Sequence, residues 1–500
     1  MTNIDQSRHE DSEDDEDVAT PVSSYRHSSD SSQGPTRHAT PSVTSPTMST
    51  ASSKHLTSTS LTAEDIAAVK FATDFHVHAL GFAEIPGVPA NQLWHKWWLS
   101  FRQETHRQET QLALLAWAYS SMTFVHPSSS RDRVVKGLEF RGAALQQLQK
   151  LMQNLKAHGD YATALDCTLY LGCVEWQHGL INETMAHFKV AKSFLETIGG
   201  LRVLPPQSQE TVLWIFNNVS FAFAVRPLVQ TNDIGQARHS PDGDGSECLS
   251  RMSLDDRSSG SIISQLIGSR LSSLVSETSD VIEAGEGLAK SSISAQEKIK
   301  HFHGIYMRKL GLQVKCAHLW HDLLDAAPSS GRDRHSHRSA PASSFRTTVC
   351  LLLRLFQKIT TDSFNAMIPW KKFWAPWHDR LLDRVRPMQC DIQSRTGGRD
   401  ERSDREQKAK ELILLWAFFT GACIEQMFLT EGARNPSSAD RTVFCSSQFT
   451  LLAGQMGYRH AGDVAADLHK YIAFSPLKQG QILKKLMQPL EHRDEERRRR

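Results

Sequence analysis

Beyond Leu61 the apolar residues of this chain recur with the 3.6-residue period of an amphipathic helix. The segment LTAEDIAAVKFATDF opens on Thr62 as N-cap with Asp65 three residues on, an approximate capping box. In the segment ending LALLAWAYSSMTF, Leu112, Leu115, Ala116 and Tyr119 fall at i, i+3, i+4 and i+7. Leu145, Leu148, Met152 and Leu155 predict one face of the next helix, and Leu165, Leu169, Cys173 and Trp176 that of the one after. Met185, Phe188, Lys192, Leu195 and Ile198 form a fourth stripe, with the Lys192 stem along its edge and the ammonium in water. Val212, Ile215, Phe216, Val219 and Phe223 form a fifth. No run alternates with period two, so the expected fold is all-α: an irregular multi-helix bundle of antiparallel helix pairs.

Polar stretches divide this pattern. Residues 1–60 hold the acidic block EDSEDDED and then a Ser/Thr/Pro-rich run with too little apolar surface to offset its ordering entropy, so a disordered tail is expected. Polar stretches at about 230–261, 326–344 and 394–407 read as disordered insertions in a helical domain spanning 61–490, and 491–500 as a charged C-terminal tail. Between the fourth and fifth helices stands TIGGLRVLPPQSQE. Gly199 or Gly200 fits the left-handed position that ends a helix, and Leu201 or Val203 can fold back on the last turn. Pro205 and Pro206 suit an extended approach to the next helix and its first turn, where N–H groups need no internal partner. The stretch is punctuation and carries no chemistry.

Composition removes several function classes. A net charge of +2 is too small to mark a nucleic-acid or membrane surface by itself. The eight cysteines are scattered and never spaced C-x2-C, which fits reduced thiols in the cytosol or nucleus better than a disulfide frame or a zinc cluster. The N-terminus lacks the apolar stretch of a signal peptide and is too acidic for a mitochondrial transit peptide. The apolar run LILLWAFFTGACI, 412–424, is fenced by Glu411 and Glu425 and rises only about 20 Å as a helix, short of a bilayer core. No membrane contact is expected.

Motifs of catalysis or metal binding are weak. His76 and His78, His301 and His303, and His335 and His337 each have His-x-His spacing. On a strand such a pair shares a face, but on a helix the two rings splay by about 200°, a poor chelate. The sequence around His76 and His78 reads helical, so a helix-end pair is preferred to a metal-dependent hydrolase site. There is no H-E-x-x-H, G-x-S-x-G, P-loop or dinucleotide-binding glycine pattern. No catalytic, cofactor-binding or metal-ligating residue is assigned, no cofactor is expected, and no DNA-contacting residue is identified. Trp94, Trp97, Trp98 and Phe101, with Trp374 and Trp377, could offer stacking platforms beside basic residues for single-stranded nucleic acid. Their helical spacing instead marks a face for burial. Arg497 to Arg500 form a minimal basic patch for import receptors or phosphate, or simply a solvated end. The helices LDCTLYLGCVEWQHGL and NETMAHFKVAKSFLETIG make an antiparallel hairpin with some tetratricopeptide character at Leu171, Gly172, Phe188 and Ala191. No 34-residue self-similarity extends it.

The runs ALLAWAYSSMTF, GLEFRGAALQQLQKLM, YATALDCTLYLGCVEW and MAHFKVAKSFLETIGGLRVL together resemble the regulatory domain of fungal-specific transcription factors. In that family a helix with an early His, here His187, ends near a Gly-Gly-Leu pattern, here Gly199, Gly200, Leu201 and then Leu204. The following helix often carries a Trp and ends near Arg-Pro, here Trp214, Arg226 and Pro227. ELILLWAFFTGAC and the stretch from FCSSQF to HKYI are similar to the family's closing helices, with Met456, Gly457 and Tyr458 near a characteristic Gly. His460-Ala461-Gly462 replaces the usual Ser-aromatic pair. The likeness covers about 110–485. Members usually begin with a six-cysteine binuclear zinc cluster, whereas the first cysteine here is Cys167. The resemblance therefore implies a nuclear transcriptional regulator, either a stand-alone regulatory domain without its own DNA-reading module or one whose module is missing from this sequence. It would act through self-association or contacts with other transcription factors and be tuned by a small-molecule effector. Phosphorylation of the Ser/Thr-rich tail and a contact of its acidic block with the transcription machinery are further expectations. The alternative reading is an α-helical interaction scaffold, tetratricopeptide-like and unrelated to transcription.

Overall fold

A computed structural model describes residues 61–79, 88, 107–126, 130–230, 260–326, 340–361, 370–394, 401–431 and 443–499. The tail, the segment 93–101, His335, His337 and most of the three polar insertions lie outside the described residues. Helix α1 (Ala63–Ala79) begins where the local chemistry places it. The Thr62 hydroxyl accepts from the Asp65 N–H at 3.2 Å, and the Asp65 carboxylate accepts from the Thr62 N–H at 3.0 Å. Asp65 is buried, and the same carboxylate accepts from Tyr119 Oη at 2.8 Å and pairs with Lys136 Nζ at 2.8 Å. One N3 residue thus caps its own helix and ties it to α2 (Gln108–Val125) and α3 (Arg131–His158). His76 and His78 fall in the last turn of α1, on a helix as expected.

Helices α4 (Tyr161–Gln177) and α5 (Ile181–Thr197) form the hairpin read from the sequence, and α2 packs against α1, α3 and α4. The stripe of α2 is buried at all four positions, Leu112, Leu115, Ala116 and Tyr119. On α3 the stripe is only partly right: Leu148 and Leu155 are buried, Leu145 is half-buried, and Met152 is 46% exposed. The buried line runs through Ala144 instead, since a helix packed on one side tolerates an apolar residue just off its seam. Helix α4 goes beyond an amphipathic stripe. Cys167, Leu171 and Val174 are buried along with Leu165, Leu169 and Cys173, because other helices cover it on several sides. At its crossing with α5, a Cβ on Gly172 would lie 2.8 Å from the Phe188 ring and 3.2 Å from His187 Cβ. Close approach of the two backbones demands glycine there.

The turn after α5 has both bonds of a Schellman cap. The Gly200 N–H donates to Leu195 O at 2.8 Å and the Gly199 N–H to Glu196 O at 3.2 Å, with both glycines at positive φ. Leu201 is buried, while Val203 is exposed with its Cγ2 3.1 Å from where a Cβ on Gly199 would lie. Pro206 takes the first position of α6 (Pro206–Phe223). Helix α6 packs on α4 on one side and on α9 (Ala295–Asp325) on the other.

The remaining helices are α7 (Gly260–Ile267), α8 (Ser269–Lys290), α10 (Ala340–Thr361), α11 (Trp370–Gln393), α12 (Glu401–Glu431), α13 (Phe444–Gln455), α14 (Ala461–Tyr471) and α15 (Pro476–Arg499). Helix α9 lies between α8 and α10, α12 between α11 and α13, and α15 closes over α13 and α14. Among the described residues the fold is all-α, with no strand. Residues 412–424 are buried because α12 threads the core. No described helix is long and apolar enough to cross a membrane. Three boundaries differ from the sequence reading: α10 starts at Ala340, α12 at Glu401, and α15 continues to Arg499. In the latter two, Glu, Arg, Lys and Gln dominate, with no Gly or Pro at 401–410 or 491–499, so polar composition there extends a helix.

Two outcomes follow. Gly172→Ala should cost about 1–3 kcal/mol in urea unfolding, as overpacking at a rigid aromatic contact does; an unchanged midpoint would show that the crossing relaxes freely. Burial pushes the Asp65 carboxyl up, but Lys136, Thr62 and Tyr119 outweigh it and hold it below its usual 3.8. Its contribution is therefore complete above the unfolded value and lost as pH falls through the folded one. Asp65→Asn should cost about 3 kcal/mol at neutral pH, with the gap from wild type closing only below about pH 4.

Candidate functional site

Helix α6 ends among α9, α10 and α11, and polar side chains meet there in a buried layer. Asn217 donates to Gln313 of α9, Gln313 Nε2 donates to Gln357 O of α10 at 3.2 Å, and Gln357 Nε2 donates to Thr278 Oγ1 of α8 at 2.8 Å. One residue along α6, Asn218 Oδ1 accepts from Lys358 Nζ while its Nδ2 donates to Trp214 O at 2.9 Å. All of these side chains are buried. Left unpaired, each group would cost about 1–3 kcal/mol, so the layer permits one relative placement of the four helices.

Above this layer lies an aromatic cluster. Phe221 of α6 stacks on Trp377 with ring centroids 4.5 Å apart and meets Trp374 at 5.2 Å; Trp320 of α9 lies 5.7 Å from Trp377. The Trp377 indole N–H donates to Phe221 O at 3.1 Å. Trp374 and Trp377 are each 1% exposed and serve the core, as their spacing suggests. The Arg354 guanidinium sits inside the cluster, 4.9 Å from the Trp377 ring centre, 5.0 Å from Trp320 and 5.6 Å from Phe221. Its Nη2 donates to Ser220 O at 2.9 Å and Ser220 Oγ at 3.1 Å. At the rim, Arg226 donates to Asp322 and Asp325, both at 2.8 Å. Those carboxylates stand in the last turn of α9, where the helix dipole disfavours them, and Arg226 offsets that cost.

A second cluster joins His378 of α11, Glu425 of α12 and Cys445 of α13, whose ligand atoms lie within 4.8 Å of one another. Its geometry is that of a helix cap. Glu425 Oε1 accepts from the Cys445 N–H at 2.7 Å, and Oε2 from the Ser446 N–H at 2.9 Å and hydroxyl at 2.7 Å. His378 Nε2 is 3.3 Å from Oε1. The carboxylate, fully buried, thus satisfies the first amides of α13. Burial and the nearby Glu425 push the Cys445 thiol well up. A Cβ on Gly421 would lie 2.4 Å from Cys445 Sγ, so glycine lets α12 and α13 meet at this cap. Both carboxylate oxygens of Glu425 are engaged in this cap. Of the other histidine pairs, His303 sits 2.7 Å from Glu210, joining α9 to α6.

A family model covers α6, α8, α9 and α10 of the first junction, while α11 lies beyond it. The model described as the fungal specific transcription factor domain matches residues 93–363, more than half of the chain. The chain belongs to that family. No curated protein and no solved structure matches it. The matched stretch of the fungal specific transcription factor domain runs through α2–α10 and includes His187, the Gly199–Gly200 turn, Trp214, Arg226 and Arg354. The likeness noted at 412–471 lies beyond it. In this domain Trp214 is buried and Arg226 binds the end of α9, so both family-type residues act in packing α6. The polar layer itself was not read from the sequence: its bonds join residues up to 140 positions apart.

Glu425→Ala should lower stability by about 2–4 kcal/mol, the cost of leaving buried amides unpaired, and a chelator should leave wild-type unfolding unmoved. Stability that falls on chelation would instead make His378, Glu425 and Cys445 a metal site.

Proposed function

We propose that this protein regulates transcription in the nucleus through its helical body; none of the eight cysteines in this sequence has the zinc-cluster spacing. The observation that carries this reading is the family match across α2–α10. Regulation then proceeds by contact with a DNA-bound transcription factor or with a second copy of the chain, which recruits or sequesters the DNA reader. A small-molecule effector biases that contact. The chain is not an enzyme in this reading: Cys167, Cys173 and Cys423 are buried and their thiols pushed up by burial, the first two to about 12, which removes them as nucleophiles. DNA is reached indirectly, or through a zinc-cluster module outside this sequence.

Fusing the full chain to a heterologous DNA-binding module should change expression of a reporter carrying that module's sites several-fold, in either direction. The untethered, tagged chain should accumulate in the nucleus. A fusion that enters the nucleus and leaves the reporter unchanged, with the untethered chain excluded from nuclei, would rule the reading out in favour of a scaffold unrelated to transcription.

A further inference from the structure

Val134, Val135 and Leu138 on α3, with Leu180 and Ile181 at the α4–α5 turn, are between 40% and 52% exposed. They lie at one end of an antiparallel helix pair. Helices α3 and α4 pack together and are joined only through Gly159 and Asp160, and Arg141 Nε donates to Glu175 Oε1 at 2.6 Å. Beyond that bond both helices reach Ser120 of α2. A Cβ on Gly137 would lie 4.0 Å from Ser120 N, and Ser120 Oγ is 3.3 Å from His178 Nε2. Leu138 therefore stands beside the turn that carries Leu180 and Ile181. At about 100° per residue, Val134 and Leu138 flank Val135 on the side that leads round to Arg141 and α4. Single exposed apolar residues are ordinary, but a group on the order of 400 Å² marks a contact surface. Four residues before and after Val135, on the same outer line of α3, stand Arg131 and Glu139. Both are exposed, and neither side chain has an ion-pair or hydrogen-bond partner among the described residues.

We propose that this surface pairs two copies of the chain about a two-fold axis at Val135, with the two α3 helices antiparallel. It supplies the contact for self-association in the regulatory reading and rests on that reading for its purpose; the contact itself stands on α3. A two-fold contact needs a surface that complements itself. Antiparallel α3 helices crossing at Val135 set Arg131 of each copy against Glu139 of the other, because the two charges stand four residues to either side of the axis. Two charges without partners thus become two cross-copy ion pairs, which fix orientation more than affinity. A parallel pairing would instead set Arg131 on Arg131 and Glu139 on Glu139, and like charges there oppose it. The axis is normal to the plane of the paired helices, so Val134 and Leu138 of both copies fall on the same side of the crossing, the side of Leu180 and Ile181. The area also fits a second copy. A standard interface buries about 800 Å² per partner, a little over half of it apolar, and a patch of about 400 Å² matches that apolar share.

Sedimentation velocity on the purified full chain, from about 1 to 100 µM, reads the association directly. The wild type should move from the mass of one chain towards that of two as concentration rises. Leu138→Asp should weaken association at least about thirtyfold, the loss of a central apolar anchor. Arg131→Glu alone and Glu139→Arg alone should each weaken it about tenfold, because each sets like charges together twice. An equal mixture of those two variants should associate at least as well as wild type, since every contact in the mixed dimer again joins Arg to Glu. The three substituted side chains are exposed, so circular dichroism and Tm should stay near wild type. A chain that remains monomeric throughout overturns the proposal in favour of another occupant of this surface. So does a dimer that Leu138→Asp and both reversals leave intact, or a mixture that associates no better than either variant alone. Sedimentation does not read transcription. A dimer beside a silent tethered reporter keeps the interface and removes the regulatory role, whereas a monomer beside an active reporter removes the interface alone.

Discussion

The crossing of α6 over α9 and α10 constrains everything built on either side of it. Most of the helical contacts in this protein are apolar, and apolar contacts carry little directional information: a helix sliding along a greasy neighbour loses little at each step. The bonds from Asn217 to Gln313, Gln313 to Gln357, Gln357 to Thr278 and Lys358 to Asn218 are different. A slip of one residue would strand several of these groups in a dry interior at once. Register at the crossing is therefore set by hydrogen bonding, and the bulk of the stability by the surrounding rings and aliphatic side chains.

From that crossing the fold extends in two directions by local devices of the same kind. Towards the N-terminus, the Schellman turn at Gly199 and Gly200 aims α6 against α4, and Gly172 lets α4 and α5 approach to ring contact. Towards the C-terminus, α11 brings Trp374 and Trp377 to Phe221, and Glu425 seats α13 by capping its first amides from α12. The family match runs through the first of these directions and through the crossing itself.

What could be read from the sequence was the part encoded locally. Thr62 and Asp65 lie three apart and announced the start of α1, and the Gly-Gly-Pro-Pro stretch announced the break before α6. The stripe of α5 emerged from spacing because that helix has one dominant buried face, whereas α2 and α6 are buried all round over 112–121 and 212–221, so their stripes name only part of what they bury. Helix α3 misled at Met152 because a helix packed on one side tolerates an apolar residue just off its seam. Helix α11 carries Pro376 and Pro387 inside it and α12 starts in a largely charged, polar stretch, so neither shows its extent by pattern. The junction was illegible for a deeper reason. Arg354, Ser220, Trp320 and Trp377 come from four helices, and nothing in any one segment says that the arginine will be enclosed. The one available signal was weak: Arg354 interrupts CLLLRLF, where a charge among leucines marks either an edge or a buried function.

Native-state hydrogen exchange on the full chain, read at α6, tests most directly whether this crossing holds the body together. The account predicts that α6 amides open only together with those of α4 on one side and α9 and α10 on the other, as a single cooperative unit. Opening of α6 with α4 while α9 and α10 remain protected would contradict it, because the buried polar layer would then be a contact the fold can do without.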